Sequence, residues 1–487
     1  MTEETTRESN RGRGKCCGAG QCVLLASEVF DQRDDDGIVV LLDAEPHEPL
    51  QASVRETADV CPAAARLTQW APRAGTRKDV MTETLSSDEP QMTGIPEYPM
   101  RRAQGCPFDP PPALRDEQEK GPLTKVRLWD GSRPWLVTRY AEQRALLADP
   151  RVSADITRPG YPSQSSSKSN SIGFILMDDP EHARLRRMVT APFTIKRTET
   201  LRPRVQRIVD DLIDDLLAGP NPVDLVESFA LPMPSLVICD LLGVPYADHD
   251  FFQDNSKTII NRNSTDEQRA DALGRLAEYL DRLVGEKLDH PAEDLLSQLA
   301  ARVSAGELPR GEAARIGVLL LIAGHETTAN MIALGTLALL QHPEQLTALR
   351  ETQDPKLVAG AVEELLRYLN ITHSGRRRVA LEDIEIAGQV IRAGDGLVIP
   401  NEIGNRDPRA FSDPDRLDIH RDARHHVAFG FGVHQCLGQP LARMELQVVY
   451  STLYRRMPTL RLAGALEDIP FKHDGSVYGV YELPVTW

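Results

Sequence analysis

The residue with the clearest chemical potential is Cys436, which lies in a glycine-rich segment. Residues 429–438 read FGFGVHQCLG, so Gly430, Gly432 and Gly438 flank the thiol. Glycine allows tight turns and lets backbone N–H groups approach a bound group closely. Hydrogen bonds to a ligating sulfur orient and tune it as a metal ligand. The segment therefore predicts a metal-bound thiolate, and a glycine-rich turn around a buried cysteine is the simpler alternative.

The segment resembles the haem-ligand loop of cytochromes P450. The resemblance implies one haem b, ligated through iron by Cys436 and enclosed by Phe429, Gly430, His434 and Gly438. A thiolate pushes electron density onto haem iron and favours O–O cleavage. The resemblance runs from about Cys106 to Trp487. It is nearest to soluble actinobacterial members that hydroxylate macrolides, sterols and xenobiotics.

A second stretch, residues 323–328 (AGHETT), resembles the oxygen-binding part of the long central helix in that family. It interrupts the apolar run 316–340, and polar groups at mid-membrane are costly, so we expect a buried core helix. Ala323 and Gly324 are expected to leave room for O2 and to allow a local helix distortion. Glu326 and Thr327 form an acid–alcohol pair suited to proton delivery. The alternative is a polar patch in a core helix.

The two haem propionates that the family implies need cationic partners. His182 and Arg186 stand four residues apart and share one helix face. Arg378 and His434 match further anchoring positions of the family. Four nearby arginines compete for these roles: Arg184, Arg187, Arg376 and Arg377.

Glu364 and Arg367 lie one helical turn apart, which alone is weak evidence. In the family such a pair, joined by an arginine that precedes the cysteine loop, locks the chain behind the haem. Arg416 is the predicted third partner, although Leu417 replaces the phenylalanine usual in that motif.

A second cysteine cluster lies near the N-terminus. Cys16, Cys22 and a remote Cys61-Pro62 look like a small bacterial ferredoxin, in which the middle cysteine of the motif would fall at position 19, here alanine. Three ligands suit a [3Fe-4S] cluster with Cys17 as an extra thiol. A zinc site that recruits Cys17 or His47, or a redox disulfide, are the alternatives. The polar residues 9–15 depart from the strand that such ferredoxins place before the first cysteine.

Three regions follow from these motifs and from composition. We predict a small α+β ferredoxin-like domain at 1–66 and a Pro, Gly, Ser and Thr-rich linker at 67–104. A mainly α haem domain with the cytochrome P450 fold, a helical prism with small β regions, follows at 105–487. The polar stretch 159–172 predicts a long loop of the kind that lines a binding site.

Charge and composition restrict the partners. The 487 residues carry a formal charge of −16, which argues against nucleic acid or an anionic membrane as a partner. The first ten residues lack the apolar core of a secretory signal, so a cytoplasmic location is expected. The chain is also expected to be a monomer. Seven cysteines in a reducing compartment favour metal ligands or core positions over disulfides. Cys239, in an apolar run, is expected to be one of the core positions.

Together these features predict a monooxygenase that inserts one oxygen atom of O2 into a small organic substrate. Electrons are expected from NAD(P)H through a ferredoxin reductase and a fused or separate ferredoxin. A peroxide-driven haem-thiolate catalyst, or one that couples rings or desaturates, is the second hypothesis. A non-catalytic haem sensor is the third. The acid–alcohol pair favours the first of these, because a peroxide user has less need of proton delivery.

Overall fold

Helices dominate the large part of the chain, and small sheets flank them. The computed structural model describes residues 16–43, 46–61, 94–103, 105–164 and 173–487. The helices in these ranges are α1 (Gln21–Leu25), α2 (Glu48–Val60), α3 (Pro112–Lys120), α4 (Tyr140–Ala148), α5 (Glu181–Thr190), α6 (Ile195–Ala218), α7 (Pro232–Leu242), α8 (His249–Ile260), α9 (Asp266–Asp289), α10 (Leu295–Ser304), α11 (Arg310–Gln341), α12 (Pro343–Glu351), α13 (Pro355–Tyr368), α14 (Asn401–Gly404) and α15 (Gln439–Arg456). The mainly α expectation is confirmed.

The strands are short. They are β1 (Phe30–Gln32), β2 (Val39–Leu41), β3 (Leu123–Lys125), β4 (Trp135–Val137), β5 (Val152–Ser153), β6 (Val223–Asp224), β7 (Arg376–Ala380), β8 (Ile384–Ile386), β9 (Gln389–Ile391), β10 (Gly396–Ile399), β11 (Arg461–Leu462) and β12 (Pro484–Thr486). The largest sheet has the order β3-β4-β10-β7-β5, and its strands pair antiparallel except for β10 with β4. In β7, alternation sends Arg376 and Arg378 to one face and Arg377 to the other.

Helix α11 is the axis of the core. Its side chains are apolar on nearly every face, as expected of a helix that is covered on all sides. Its length and composition would permit a membrane span, but 83% of its most apolar window is buried inside the protein. The interpretation as a core helix is therefore confirmed. The α-helical assignment runs without interruption through residues 323–328, so the expected distortion is absent from this helix.

The fully buried pair Glu364–Arg367 joins α13 to the segment before Cys436. Arg367 donates through Nε to Glu364 Oε2 at 2.7 Å and through Nη2 to Oε1 at 2.9 Å. The third partner is Arg421, whose Nε lies 3.2 Å from Glu364 Oε1. The prediction of Arg416 was wrong: its side chain is 65% exposed and pairs with Asp418, and only its backbone carbonyl faces Arg367.

The N-terminal residues form a small α+β module, which we define as residues 16–61. Strands β1 and β2 pair antiparallel on either side of residues 34–37 (DDDG). Val23, Val29, Phe30 and Val39 make its core, and Ile195 of the large domain packs against them. The module therefore shares an apolar contact with α6.

The predicted linker is described only from residue 94. Tyr98 and Met100 are buried against Val126 and Leu136, so residues 94–103 pack on the large domain instead of forming a free linker. Residues 9–15 and 67–93 lie outside the described residues.

The two candidate arginines give a stability prediction. We expect Arg421→Ala to lower the free energy of unfolding by about 1–3 kcal/mol, because it removes a donor from a buried carboxylate. Arg416→Ala is the matched control and should leave the denaturation midpoint unchanged. Chemical denaturation of the two variants makes the comparison. Equal midpoints for both would show that Arg421 does not stabilise the cluster.

Candidate functional site

The segment around Cys436 is built from turns that need glycine. The Cys436 N–H donates to Phe429 O at 2.9 Å. Gly430 and Gly432 have φ of 76° and 77°, in the left-handed region. A Cβ on Gly432 would lie 1.9 Å from Leu147 O, and one on Gly430 would lie 2.6 Å from Arg376 Nε. Both positions therefore require glycine.

Gly438 plays a different part. Its φ is −80°, it directly precedes α15, and a Cβ there meets no other described atom within 4 Å. Burial raises the pKa of the Cys436 thiol, while the Gly438 N–H and the positive charges of Arg376, Arg186 and Arg443 oppose that rise. Gly438 thus contributes through its backbone donor, as expected for a thiolate ligand.

A cavity of about 860 Å³ opens beside Cys436. Its walls are largely apolar, with Ile238, Leu319 and Met331 among them, and Ala323, Gly324 and Thr327 present α11 to it. A Cβ on Gly324 would lie 2.6 Å from Ile238 Cγ1. The glycine is therefore needed where α7 packs on α11, and both small residues, Ala323 and Gly324, line the cavity.

The cavity also has a cationic wall. Its members are Arg186 of α5, Arg376 and Arg378 of β7, and His434, with His182 packed against His434 at 4.1 Å between ring centroids. Burial, then Arg378, His182, Arg186 and Arg376, hold the pKa of His434 well below its usual range. Cationic groups packed so closely favour a bound anion.

Unpartnered side-chain nitrogens in this wall fit haem propionates. Four buried atoms have no hydrogen-bond partner within the described residues: His182 Nε2, Arg186 Nη2, His434 Nδ1 and Arg376 Nε. Buried polar groups without partners are rare unless a ligand completes them. His182 is oriented by Asp179, whose Oδ1 lies 3.0 Å from Nδ1. The residues present therefore fit the haem that the sequence predicted.

The competing arginines separate clearly. Arg184 pairs with Glu181 and Glu312 at the surface. Arg187 is exposed, and Arg377 donates to the carbonyls of Pro162 and Ser163. Arg376 is the residue that sequence reasoning ranked too low. Its signal was the strand alternation that puts it on the same face as Arg378.

Glu326 and Thr327 lie on different sides of α11. Thr327 faces the cavity, and its Oγ1 donates to Ala323 O at 2.7 Å. Glu326 is buried outside the cavity lining, with Oε1 3.8 Å from His325 Nε2. Burial lowers the pKa of Lys472, and the nearby Glu326 opposes this shift. Of the pair Glu326 and Thr327, only Thr327 lines the cavity.

The N-terminal cysteines are free and lie near one another. Burial raises the pKa of Cys17 to about 11, with Cys16 and Cys61 adding to it. Burial likewise raises the pKa of Cys22, again with Cys16 and Cys61 contributing. Cys16 Sγ lies 3.5 Å from the backbone nitrogens of Gly18 and Val39, which donate to it. Such N–H···S contacts fit the predicted cluster ligands.

The two alternatives at these cysteines gain no support. Within the described ranges, all seven cysteines are free, and no group of three or more His, Cys, Asp or Glu side chains converges as a site for a single metal ion. His47, the proposed zinc partner, is exposed before α2. Cys239 is buried as predicted, and Cys106 is exposed.

Contacts between the module and the large domain were not foreseen residue by residue. Gln21 and Gln439, 418 positions apart, hydrogen bond through their side chains at 2.7 Å. Arg186 Nε donates to Cys17 O at 2.9 Å. Neither residue pair carries a local pattern, so no signal in the sequence could have revealed them.

Comparison with known proteins gives two family matches. The model of cytochrome P450 matches residues 117–457. The model described as the 4Fe-4S single cluster domain of Ferredoxin I matches residues 13–65. The first implies a thiolate-ligated haem, and the second implies an iron–sulfur cluster.

Individual relatives agree with the first match. Cytochrome P450 GfsF of Streptomyces halstedii is 58% identical over 398 residues, which are 80% of this chain and 96% of that protein. Vitamin D3 dihydroxylase of Streptomyces griseolus is 49% identical, over an alignment that covers 84% of this chain and 100% of that protein. The crystal structure of mycinamicin VIII C21 methyl hydroxylase from Micromonospora griseorubida bound to mycinamicin VIII has a TM-score of 0.77 and 44% identity over 81% of this chain and 100% of that one. The site places a cysteine, a cationic wall and a hydroxyl around one cavity. Because the family model and relatives of this similarity agree with that site, the chain belongs to the cytochrome P450 family and is a monooxygenase.

Proposed function

We propose that the chain hydroxylates a small organic substrate in the cavity beside Cys436, with electrons from NAD(P)H delivered through a ferredoxin reductase. The observation that carries this proposal is the meeting of a thiol, a cationic wall and the Thr327 hydroxyl around one cavity. When bound, the haem supplies O2 activation at an iron whose thiolate ligand favours O–O cleavage. The side chains bind and orient the partners and move protons.

Haem binding is assigned to three groups of residues. Cys436 is the iron ligand. His182, Arg186, Arg378 and His434 hold the propionates, and Arg376 joins them. The ring is enclosed by the remaining predicted residues, Ala323, Gly324, Phe429, Gly430 and Gly438; Gly430 does so indirectly, by backing Arg376.

Proton delivery is assigned to Thr327 and Glu326. The Thr327 hydroxyl donates its hydrogen bond to Ala323 O. Its oxygen can therefore accept a hydrogen bond from water in the cavity. Glu326, beside His325 and Lys472, supplies an acid one residue away on the buried side of α11. Because Glu326 lies outside the cavity lining, transfer requires its carboxylate to turn toward Thr327.

The substrate class follows from the cavity walls. The lining is apolar at Ile238 of α7 and along much of α11, while Gln164, Asn370 and Ser374 add a few polar groups. A bulky apolar molecule with few hydroxyl or carbonyl groups fits such a lining. The names of the relatives, a vitamin D3 dihydroxylase and a mycinamicin hydroxylase, agree with that class. A shift of the haem Soret band during titration with macrolides and sterols tests it, and no shift with either class would refute it.

The module is proposed as the chain's own electron donor. Cys16, Cys22 and Cys61 would hold a [3Fe-4S] cluster, with Cys17 left as a thiol. The module contacts the large domain next to Cys436, which shortens the path that electrons must cover. A cytoplasmic monomer suffices for this arrangement, because donor and acceptor share one chain.

The cationic wall gives a prediction about haem retention. Arg186→Leu should release haem to apomyoglobin about 10- to 100-fold faster than the parent, since a charge-assisted hydrogen bond contributes about 1.5–3 kcal/mol. Arg187→Leu, an exposed arginine on the same helix, is the control and should match the parent. Equal release rates in both variants would remove Arg186 from the haem site.

The cavity hydroxyl gives a second prediction. Thr327→Ala should bind haem normally but lower the product formed per NAD(P)H by about tenfold or more, because proton delivery contributes at least that much. The lost electrons should appear as hydrogen peroxide. Thr336→Ala, on the same helix but outside the cavity, is the control. Unchanged coupling in Thr327→Ala would show that the hydroxyl takes no part in proton delivery.

The cysteines of the module give a third prediction. Cys22→Ala should lose the iron–sulfur electron paramagnetic resonance signal, and its haem should then no longer be reduced through the reductase, although dithionite still reduces it. Cys17→Ala should keep the signal, since this thiol is not a ligand. If Cys22→Ala is reduced through the reductase as fast as the parent, the module is not the donor.

A further inference from the structure

Gln439 connects the thiolate segment to the module. It is the first residue of α15, three positions after Cys436, and its side chain is buried. Its Nε2 donates to Ala19 O at 2.7 Å, and its Oε1 accepts from Gln21 Nε2 at 2.7 Å. Arg443 Nη1 donates to the same oxygen at 2.6 Å. Both ends of this amide are therefore bonded to the module, and its oxygen is also held by Arg443 of the large domain.

On the module side, the contact falls in the cysteine loop. Ala19 lies three residues from Cys16 and three from Cys22, at the position where the ferredoxin motif would have its middle cysteine. Ala19 and Gln21 are both buried. The motif position that lacks a thiol thus contacts the haem domain, as does the neighbouring Cys17 carbonyl, which accepts from Arg186.

The module backbone approaches Thr190 of the large domain as closely as glycine permits. A Cβ on Gly18 would lie 2.7 Å from the Thr190 methyl carbon, and one on Gly37 would lie 2.5 Å from it. At the edge of the contact, Asp34 lies 3.7 Å from Lys196 and Glu56 lies 3.3 Å from Arg424. These exposed ion pairs contribute little by themselves. The buried amides and the close backbone contact therefore carry the interface.

We propose that Gln439 is a positioning residue, whose amide clamp on Ala19 and Gln21 holds the cysteine loop of the module against the thiolate segment. The inference rests on the proposed function only for its use, because the clamp itself involves no cofactor. Loss of Gln439 would leave the Ala19 carbonyl and the Gln21 amide buried without partners, which costs more than the bonds themselves. The module would then undock while both parts stay folded.

One backbone amide reports undocking directly. The N–H of Ile195, at the start of α6 where no intrahelical acceptor exists, donates to Gln32 Oε1 of the module at 3.2 Å. It exchanges with solvent when the module leaves. The Leu42 N–H, bonded to Val29 O at 2.8 Å inside the module, exchanges only when the module itself opens. The two amides separate undocking from unfolding.

The experiment is hydrogen–deuterium exchange of the full holo-chain, resolved to these amides. Gln439→Met and Gln21→Met should each speed exchange at Ile195 by about tenfold or more and leave Leu42 unchanged. Gln447→Met, on the same helix but bonded to Arg202 at 2.9 Å, is the matched control and should change neither. The double variant should add less than the two single effects combined, because both break one contact.

The outcomes are decisive in both directions. Exchange at Ile195 that is unchanged in Gln439→Met and Gln21→Met, or that rises equally in Gln447→Met, overturns the clamp. Gln21 belongs to the module alone, so its variant tests the proposal even if Gln439→Met does not fold. Exchange requires no electron flow. The exchange experiment can therefore confirm the clamp even if the haem of the Cys22→Ala chain is still reduced through the reductase. That pair of results would refute the donor function and leave the positioning role of Gln439.

Discussion

The structure depends on keeping one cysteine sulfur ionised at the floor of a buried cavity. Burial raises the pKa of the Cys436 thiol, so a thiolate there needs nearby donors and positive charge. The Gly438 N–H, Arg376, Arg186 and Arg443 supply them. Gly430 makes the approach of Arg376 possible, and Gly432 lets the segment pass Leu147, because a side chain at either position would collide with its neighbour.

The same charges create the demand for a cofactor. Buried guanidinium and imidazole groups without partners are costly, and an anionic ligand that satisfies them recovers much of that cost. Arg186 serves both sides of the arrangement: Nη2 is left for the cavity, while Nε donates to Cys17 O of the module. Arg443 likewise acts on the thiolate and bonds Gln439. Haem binding and docking of the module thus draw on the same positive residues.

Whether a feature of the fold or the site could be predicted depended on how far apart its residues lie in the sequence. The Cys436 segment and the core helix α11 are local patterns, so a family resemblance carried by a few consecutive residues was enough to predict them. Arg421 was missed in favour of Arg416 because the choice depends on how a loop folds over Glu364 of α13. The contact of Gly324 with Ile238 was also not foreseen, since it depends on how a distant helix packs. The Gln439–Ala19 contact joins segments 420 positions apart and leaves no local trace.

The central claim is that Cys436 binds haem iron as a thiolate, and the reduced, CO-treated chain tests it most directly. We expect the parent to show the long-wavelength Soret band that thiolate ligation produces. Cys436→His should keep haem but lose that band, since imidazole donates less electron density to iron. The same long-wavelength band in both proteins would contradict the assignment of Cys436 and, with it, the site built around this residue.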